Sequence, residues 1–364
     1  MKPLTDGDFM DLAISLAKKG LYSSTPNPRV GCVIVKNSKV IGQGWHERAG
    51  EDHAEIMALS KIEGMANGAT VYTTLEPCCH VGRTGPCVDA LITAKVARVV
   101  CAMADPNPLI NGRGLRKLKR HGIQVTMDVR SEQAKMLNLG FVKRMKKSQP
   151  WIRLKIAAGL DGKTALENGV SKWITGVPAR TDVHIWRAQS CAILTGIGTL
   201  DADDPQLSVR LVESDRQPLK IVVDSKLRIS KDSRVLMDGR TLIVTATERD
   251  SKIKELCDMG AEVAIIPNDD GKVDLAELFK ELGRRQINEV MVEAGNRLNS
   301  ALMQERLPDE LLIYYAPKIL GDRGRGMFDL GKIEAMEKTV SFEDSQICKM
   351  GNDIRVRFLI ARER

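Results

Sequence analysis

The sequence predicts an α/β protein of two successive units, each a sheet with helices on its faces. Three observations predict it. Short apolar runs alternate with amphipathic stretches along nearly the whole chain, the pattern that lays helices over a mostly parallel sheet. A length of 364 residues allows about two domains with separate cores. The alternation breaks once, at Lys146-Lys147-Ser148-Gln149-Pro150, a polar proline-bearing stretch that reads as a linker. The units are therefore expected at 1–147 and 150–364.

The elements follow in order. Thr5 and Asp8 stand at capping-box spacing and open an amphipathic helix with Phe9, Leu12, Ala13, Leu16 and Ala17 on one face. Residues 31–35 read as a buried strand. Residues 53–64 read as a helix with His53 and Glu55 in its first turn. A strand over 69–75 ends at Glu76-Pro77-Cys78. Helix 86–95, strand 98–103, helix 113–121, strand 123–128 and a helix after Ser131 complete the first unit. In the second, strands are predicted at 151–157, 191–194, 219–223, 241–245, 262–266, 289–293, 311–315 and 354–359. Most are separated by helical stretches, one of them at 298–304. Catalytic groups are expected where strands end and helices begin.

Composition excludes several classes. No apolar run reaches the ~18 residues of a membrane span, and the N-terminus has no signal-peptide core. A cytoplasmic location without a membrane partner is expected. The eight cysteines are then expected reduced, so metal binding outranks disulfides. The net charge of +8 is concentrated in residues 1–147, with 22 Lys/Arg against 13 Asp/Glu. Arg113, Arg116, Lys117, Lys119 and Arg120, and Lys143, Arg144, Lys146 and Lys147, supply much of it. These runs read as solvated helix faces rather than a nucleic-acid footprint. Aromatic residues for base stacking are scarce, so no nucleic-acid partner is expected.

The chemistry-bearing constellation lies between residues 53 and 87. His53, Cys78 and Cys87 can supply three zinc ligands, which leaves a fourth tetrahedral position open, as in catalytic rather than structural zinc sites. Glu55, two residues after the histidine, is placed to shuttle protons without binding the metal. His-x-Glu followed by Pro-Cys is the signature of zinc deaminases of nucleobases. The usual Cys-x-x-Cys is replaced by a spacing of nine, from Cys78 to Cys87. Cys79 reads as a buried neighbour. Cys32, Cys101, Cys191, Cys257 and Cys348 read as small core hydrophobes. The second unit has no Gly-x-Gly-x-x-Gly. It has glycines at strand-to-helix turns, at Thr195-Gly196-Ile197-Gly198-Thr199 and at Glu293-Ala294-Gly295-Asn296. Such turns can present backbone N–H groups to a phosphate, and they also occur as plain tight connections.

Thr25-Pro26-Asn27-Pro28-Arg29-Val30-Gly31, Gly44-Trp45-His46, the 77–87 segment, and Asp105-Pro106-Asn107-Pro108 with Asn111-Gly112-Arg113-Gly114 together resemble one family. So do Lys155-Ile156-Ala157 with Asp161-Gly162-Lys163, Ser171-Lys172-Trp173, Arg187-Ala188-Gln189-Ser190, Ala202-Asp203-Asp204-Pro205 and Val292-Glu293-Ala294-Gly295. The family is the bifunctional deaminase–reductases of riboflavin biosynthesis, and the likeness runs nearly end to end. Departures are Gly85 where proline is common, Cys79 where serine is common, and Ala158-Gly159 ahead of Leu160-Asp161.

The resemblance implies a cytidine-deaminase-like α/β/α domain followed by a dihydrofolate-reductase-like α/β domain. It implies one zinc ion in the first and NADPH in the second. The substrate it implies is a small pyrimidinone bearing a ribosylamino phosphate, which is deaminated and then reduced from ribosyl to ribityl. It implies that Asn27, His46, Arg83, Asp105 and Asn107 line the pyrimidine and phosphate pocket. Turn chemistry beside proline explains Asn27, Asp105 and Asn107 equally well. In the reductase, Lys155 and Glu293 handle protons. Ala157, Trp173, Thr199, Asp203, Ser225 and Gly295 hold NADPH. Ser171, Arg187, Leu207, Arg210 and Glu293 hold the substrate, Arg187 and Arg210 being suited to a bidentate phosphate grip or to surface ion pairs. A homo-oligomer, dimer or tetramer, is expected. Two other readings stand beside this one: a polynucleotide or free-nucleobase zinc deaminase with an accessory domain, and a non-catalytic zinc-bearing interaction module.

Overall fold

A computed structural model describes residues 4–79, 85–108, 110–237 and 240–361. The chain divides into two compact units, Met1–Ser148 and Gln149–Arg364.

The first unit runs α1 (Asp6–Ala17), β1 (Gly31–Lys36), β2 (Lys39–Trp45), α2 (Ala54–Ser60), β3 (Thr70–Thr73), α3 (Cys87–Thr93), β4 (Arg98–Cys101), α4 (Arg113–Arg120), β5 (Gln124–Thr126), α5 (Ser131–Leu137) and α6 (Leu139–Lys147). The capping box at Thr5 is present. Its Oγ1 accepts from the Asp8 N–H at 3.3 Å, and the Asp8 carboxylate accepts from the Thr5 N–H at 2.8 Å. Caps of this kind stabilise a helix by about 1 kcal/mol. Phe9, Ala13, Leu16 and Ala17 are buried as the pattern requires.

The strand order is β2-β1-β3-β4-β5. This corrects the expectation of a mostly parallel sheet. β1 is antiparallel to both β2 and β3, and only β3-β4-β5 are parallel. The cause is a hairpin that the 2-residue turn Asn37-Ser38 closes, both residues at positive φ. Its second strand, polar and rich in glycine, carries no strand signal of its own.

The second unit runs β6 (Trp151–Gly159), β7 (Lys163–Ala165), α7 (Val177–Gln189), β8 (Ala192–Gly196), α8 (Ile197–Asp203), β9 (Leu219–Val223), β10 (Thr241–Thr245), α9 (Asp250–Asp258), β11 (Glu262–Ile265), α10 (Leu275–Arg284), β12 (Glu289–Val292), α11 (Asn296–Gln304), β13 (Glu310–Ala316), β14 (Arg325–Gly326), β15 (Phe342–Met350) and β16 (Asp353–Ile360). The main sheet has the order β11-β10-β9-β8-β12-β6-β13-β16-β15. Every pair from β11 to β13 is parallel, and β16 and β15 close one side antiparallel. β6 shows the two-sided alternation of a central strand. Ile152, Leu154, Ile156 and Ala158 enter one core, and Arg153, Lys155 and Ala157 alternate with them. Strand β15 is an exposed edge, with Ile347 69% accessible.

Three further expectations change. Lys146 and Lys147 form the last turn of α6, so the linker is shorter than the polar run suggested. Lys143 on the same helix is buried rather than solvated. Cys257 is exposed and Cys348 half-buried on the edge strand, whereas Cys32, Cys101 and Cys191 are core. Among the described residues, no helix is long and apolar enough to cross a membrane.

Candidate active sites

In the first unit two chain junctions converge. His53 is the N-cap of α2, which puts Glu55 in that helix's first turn. Cys78 follows β3, and Cys87 opens α3. The ligand atoms of His53, Cys78 and Cys87 lie within 4.8 Å of one another. His53 Nδ1 is 3.2 Å from Cys87 Sγ and 3.5 Å from Cys78 Sγ. A tetrahedral zinc with ordinary Zn–N and Zn–S bonds would separate nitrogen and sulfur by about 3.6 Å. The donor set and its spacing therefore fit zinc. The Cys87 thiol, the His53 imidazole and the Cys87 backbone N–H (3.3 Å) all face Cys78, and they pull its pKa well below that of a free thiol. The thiolate a metal needs is favoured at that position.

Glu55 is 3% exposed and accepts from Thr73 Oγ1 at 3.3 Å. Burial pushes its pKa up, and the neighbouring Cys78 thiolate adds to the effect. His46 packs edge-on against His53 with ring centroids 5.3 Å apart. Its Nδ1 lies 3.1 Å from the Asp52 carbonyl and must donate there, so Nε2 accepts from the Asn27 amide at 3.0 Å. Burial lowers its pKa, and the ring is neutral in this tautomer. Asp105 is buried and accepts from the Asn107 N–H at 2.8 Å. Its pKa is pushed up to about 6, chiefly by burial. Arg83 lies outside the described residues. Cys79 packs against the core, apart from the three-ligand group.

Sequence reading passed over Glu76. Its buried carboxylate accepts four backbone N–H groups from residues 105 to 115. The only signal for it is an acid directly ahead of Pro77-Cys78 combined with a Gly-x-Gly further on.

In the second unit the candidates gather at the carboxyl ends of β6, β8, β9 and β12, the edge where open α/β sheets bind ligands. Lys155 on β6 stands 3.5 Å from Glu293 Oε2, just past β12. Arg187, in the last turn of α7, grips Glu293 with both arms, Nε to Oε1 at 2.6 Å and Nη2 to Oε2 at 3.0 Å. Its remaining arm donates to the Ser208 carbonyl at 3.0 Å. Burial raises the Glu293 pKa, but Arg187 and Lys155 outweigh it and hold the carboxyl down at about 2. His184, one turn before Arg187, accepts the Arg210 backbone N–H at 3.0 Å. Burial, with Arg187 and Arg210 nearby, lowers its pKa to about 4. Arg210 Nη1 donates to Ser208 Oγ at 2.9 Å.

The remaining candidates divide. Ser171 Oγ lies 3.4 Å from Asp203, which also pairs with Lys172. Gly295 is the N-cap of α11. A Cβ there would meet only Thr199 Oγ1, at 4.0 Å, and a Cβ at Gly198 would meet nothing. Two glycine turns on adjacent strands thus leave an open cradle of backbone, which fits a nucleotide phosphate. Asn299 in α11 keeps a buried, unpartnered Oδ1 near that turn. Ala157 is half-buried near the end of β6. Ser225 follows β9, and its Oγ accepts the Val273 N–H at 3.0 Å. Trp173 is 66% exposed beneath the Arg180 guanidinium. The Leu207 side chain is packed in the core, so any substrate contact there runs through its main chain.

A three-ligand metal site beside a buried glutamate defines a hydrolytic deaminase of the zinc type. A parallel sheet with open glycine turns beside a lysine–carboxylate pair defines a nucleotide-dependent reductase, and the chain carries both. Residues 4–103 match the family model of the cytidine and deoxycytidylate deaminase zinc-binding region, and residues 150–356 that of the RibD C-terminal domain. The chain is 45% identical over 363 residues to the riboflavin biosynthesis protein RibD of Escherichia coli strain K12, covering 96% of this chain and 98% of that one. It is 40% identical over 355 residues to the RibD of Aquifex aeolicus, covering 97% and 98%. Among solved structures, RibD of Acinetobacter baumannii superposes with a TM-score of 0.91 at 42% identity, covering 98% of this chain and 99% of that one. A diaminohydroxyphosphoribosylaminopyrimidine deaminase/5-amino-6-(5-phosphoribosylamino)uracil reductase of Thermotoga maritima gives 0.86 at 33% identity, covering 98% and 99%.

The chain belongs to the RibD family, the bifunctional deaminase–reductases of riboflavin biosynthesis. Its cofactors are zinc and NADPH.

Proposed function

We propose that residues 1–147 deaminate a diaminopyrimidinone carrying a ribosylamino phosphate, and that residues 150–364 reduce the ribosyl chain of the product to ribityl. The carrying observation is the triad of His53, Cys78 and Cys87 with Glu55 enclosed beside it. Zinc bound there supplies a nucleophile at neutral pH by lowering the pKa of water from about 15.7 toward about 7. Glu55 takes a proton from the attacking water and gives it to the adjacent ring nitrogen. It then takes the remaining hydroxyl proton of the tetrahedral adduct and hands it to the amine as the carbonyl forms and the C–N bond breaks. Its seclusion keeps that proton from exchanging with bulk solvent. Asn27, neutral His46, Arg83, Asp105 and Asn107 line the pocket for the pyrimidine and its phosphate.

NADPH supplies the hydride for the second reaction. The glycine turns at 196–198 and 295, with Thr199, Asp203, Ser225, Ala157 and Trp173, hold it. Lys155 delivers the accompanying proton to the sugar. Glu293, expected beside Lys155 as a second proton-handling group, is kept ionised by two cations and instead sets the position of the Lys155 ammonium and of Arg187. Ser171, the Leu207 main chain and Arg210 hold the substrate and its phosphate. The bidentate face of Arg187, expected on a phosphate, is taken up by Glu293, so Arg187 offers the substrate only its outer N–H groups.

The reactions belong in the cytoplasm, with the cysteines reduced. The exposed edge β15 supports assembly into a homo-oligomer, since a long unpaired edge with apolar side chains invites pairing. Light scattering of the purified chain measures that state.

The test of function is to incubate the zinc-loaded chain with the diaminopyrimidinone ribosyl phosphate, with and without NADPH. Ammonia release without NADPH, and NADPH oxidation only once ammonia has appeared, is the expected result. Ammonia from RNA or DNA alone would move the chain to the polynucleotide deaminases. Bound metal with no turnover would make it a zinc-bearing interaction module.

A further inference from the structure

Glu76 is a carboxylate that is 2% exposed, and among the described residues its partners are backbone amides rather than a cation. Its Oε2 accepts from the Asp105 N–H at 3.1 Å and the Gly112 N–H at 2.8 Å. Its Oε1 accepts from the Gly114 N–H at 3.0 Å and the Leu115 N–H at 3.4 Å. Each oxygen thus takes two donors, the full acceptor capacity of a carboxylate.

Three of those donors open α4. The N-cap of that helix is Gly112, at φ +73°, which has no side chain to cap it. The orphan N–H groups of its first turn and the positive end of its dipole need an acceptor. Glu76 brings one from the end of β3. The fit demands glycine at 114, because a Cβ there would run into the Pro77 carbonyl oxygen. The fourth donor is Asp105 itself. One oxygen atom therefore pins both ends of the turn that carries Asp105 and Asn107. Two residues after Glu76 comes Cys78. A single side chain ties the metal-ligand junction to the substrate-side turn.

We infer that Glu76 is a positioning residue for deamination, which registers Asp105 and Asn107 against the His53, Cys78 and Cys87 site. This rests on the pocket reading given above for Asp105 and Asn107. Glu76→Gln keeps the shape but turns an amide N–H₂ toward backbone donors, so two of the four bonds become repulsive. The turn then shifts relative to the metal junction, and a misplacement of about 1 Å costs on the order of 100-fold in rate.

The test uses the full-length, zinc-loaded chain. Glu76→Gln should keep its zinc content and its reductase activity on deaminated substrate. Deamination kcat/KM should fall about 100-fold, with KM for the pyrimidine phosphate rising. A double-mutant cycle with Asp105→Asn separates positioning from general support of the fold. If Glu76 acts through Asp105, its penalty shrinks to under about 10-fold in the Asp105→Asn background. Should Glu76→Gln not accumulate, Glu76→Asp takes its place in the same cycle. It keeps the charge and shortens the reach by one methylene.

An equal penalty in both backgrounds, or wild-type KM and kcat in a folded, zinc-loaded variant, overturns the inference. Absence of ammonia release by the unaltered chain would instead overturn the pocket reading, so the two failures are distinguishable.

Discussion

Glu55 in the first unit and Glu293 in the second are both carboxylates withdrawn from solvent, and their surroundings drive them in opposite directions. Glu55 has a hydroxyl and a thiolate for neighbours, and burial holds its pKa up. Glu293 has two cations within 3.5 Å, and they override a comparable burial to hold it at about 2. Depth alone therefore does not assign a carboxylate its task. A buried acid held only by a hydroxyl beside the metal ligands can trade protons, whereas one clamped between two side-chain cations is a fixed anion that orients them.

The contrast breaks most sharply at Glu55. Glu55→Gln should reduce ammonia release by about 10²–10⁴-fold, the usual worth of general acid/base catalysis. Zinc content by metal analysis and reduction of pre-deaminated substrate should both stay near the unaltered chain. Near-normal ammonia release would remove Glu55 from the chemistry and erase the distinction. Next in size is the metal itself. Cys87→Ser should lower zinc content and deamination together, and Cys79→Ser should change neither, since Cys79 stands apart from the three ligands. The reverse order would mean that the nine-residue spacing has been misread.

Glu293 sharpens the comparison through stability. Its folded pKa lies below the ordinary glutamate value of about 4.3, so it contributes stability that is fully present above that pH. That contribution is lost as pH falls toward about 2. Glu293→Gln should therefore destabilise the second unit by about 3 kcal/mol near pH 7, with Lys155 and Arg187 left unpaired. The gap from the unaltered chain should narrow below about pH 4, as read from urea unfolding at a series of pH values. A gap that does not change with pH would show that Glu293 is not the pinned anion. The smallest effect is expected at Arg210. Arg210→Ala should raise KM for the phosphorylated substrate about 10- to 100-fold through loss of a charge-assisted hydrogen bond. NADPH affinity by fluorescence quenching should be nearly unchanged. Weaker cofactor binding at unchanged KM would move Arg210 to the cofactor side.

Strands β9 and β10 were legible in the sequence to the residue, because each is a short apolar run bounded by polar turns. β2 and β15 were not. One is interrupted by glycines, and the other is exposed almost throughout, so neither carries the periodic burial that marks a strand. His53, Glu55, Cys78 and Cys87 stood out because their residue types and spacing are rare together. Glu76 and His184 did not, because both act by accepting backbone N–H groups, and a backbone donor leaves no trace in residue identity. The grip of Arg187 on Glu293 joins residues 106 positions apart and only the fold reveals it.

The place of β12 in the second sheet has a consequence for synthesis. β6 finds its parallel neighbours only in β12 and β13, and β8 has β12 on its inner side. The centre of the sheet is thus the part of the chain made late. While the ribosome is still short of residue 289, β6 has no partner, and β8 to β11 form a half-sheet with an open inner flank. Long-range pairing of this kind is slow and leaves apolar edges uncovered in the meantime. A chain halted at Asn288 should accumulate in the insoluble fraction, and a nascent chain should become protease-resistant only after β12 and β13 have cleared the exit tunnel.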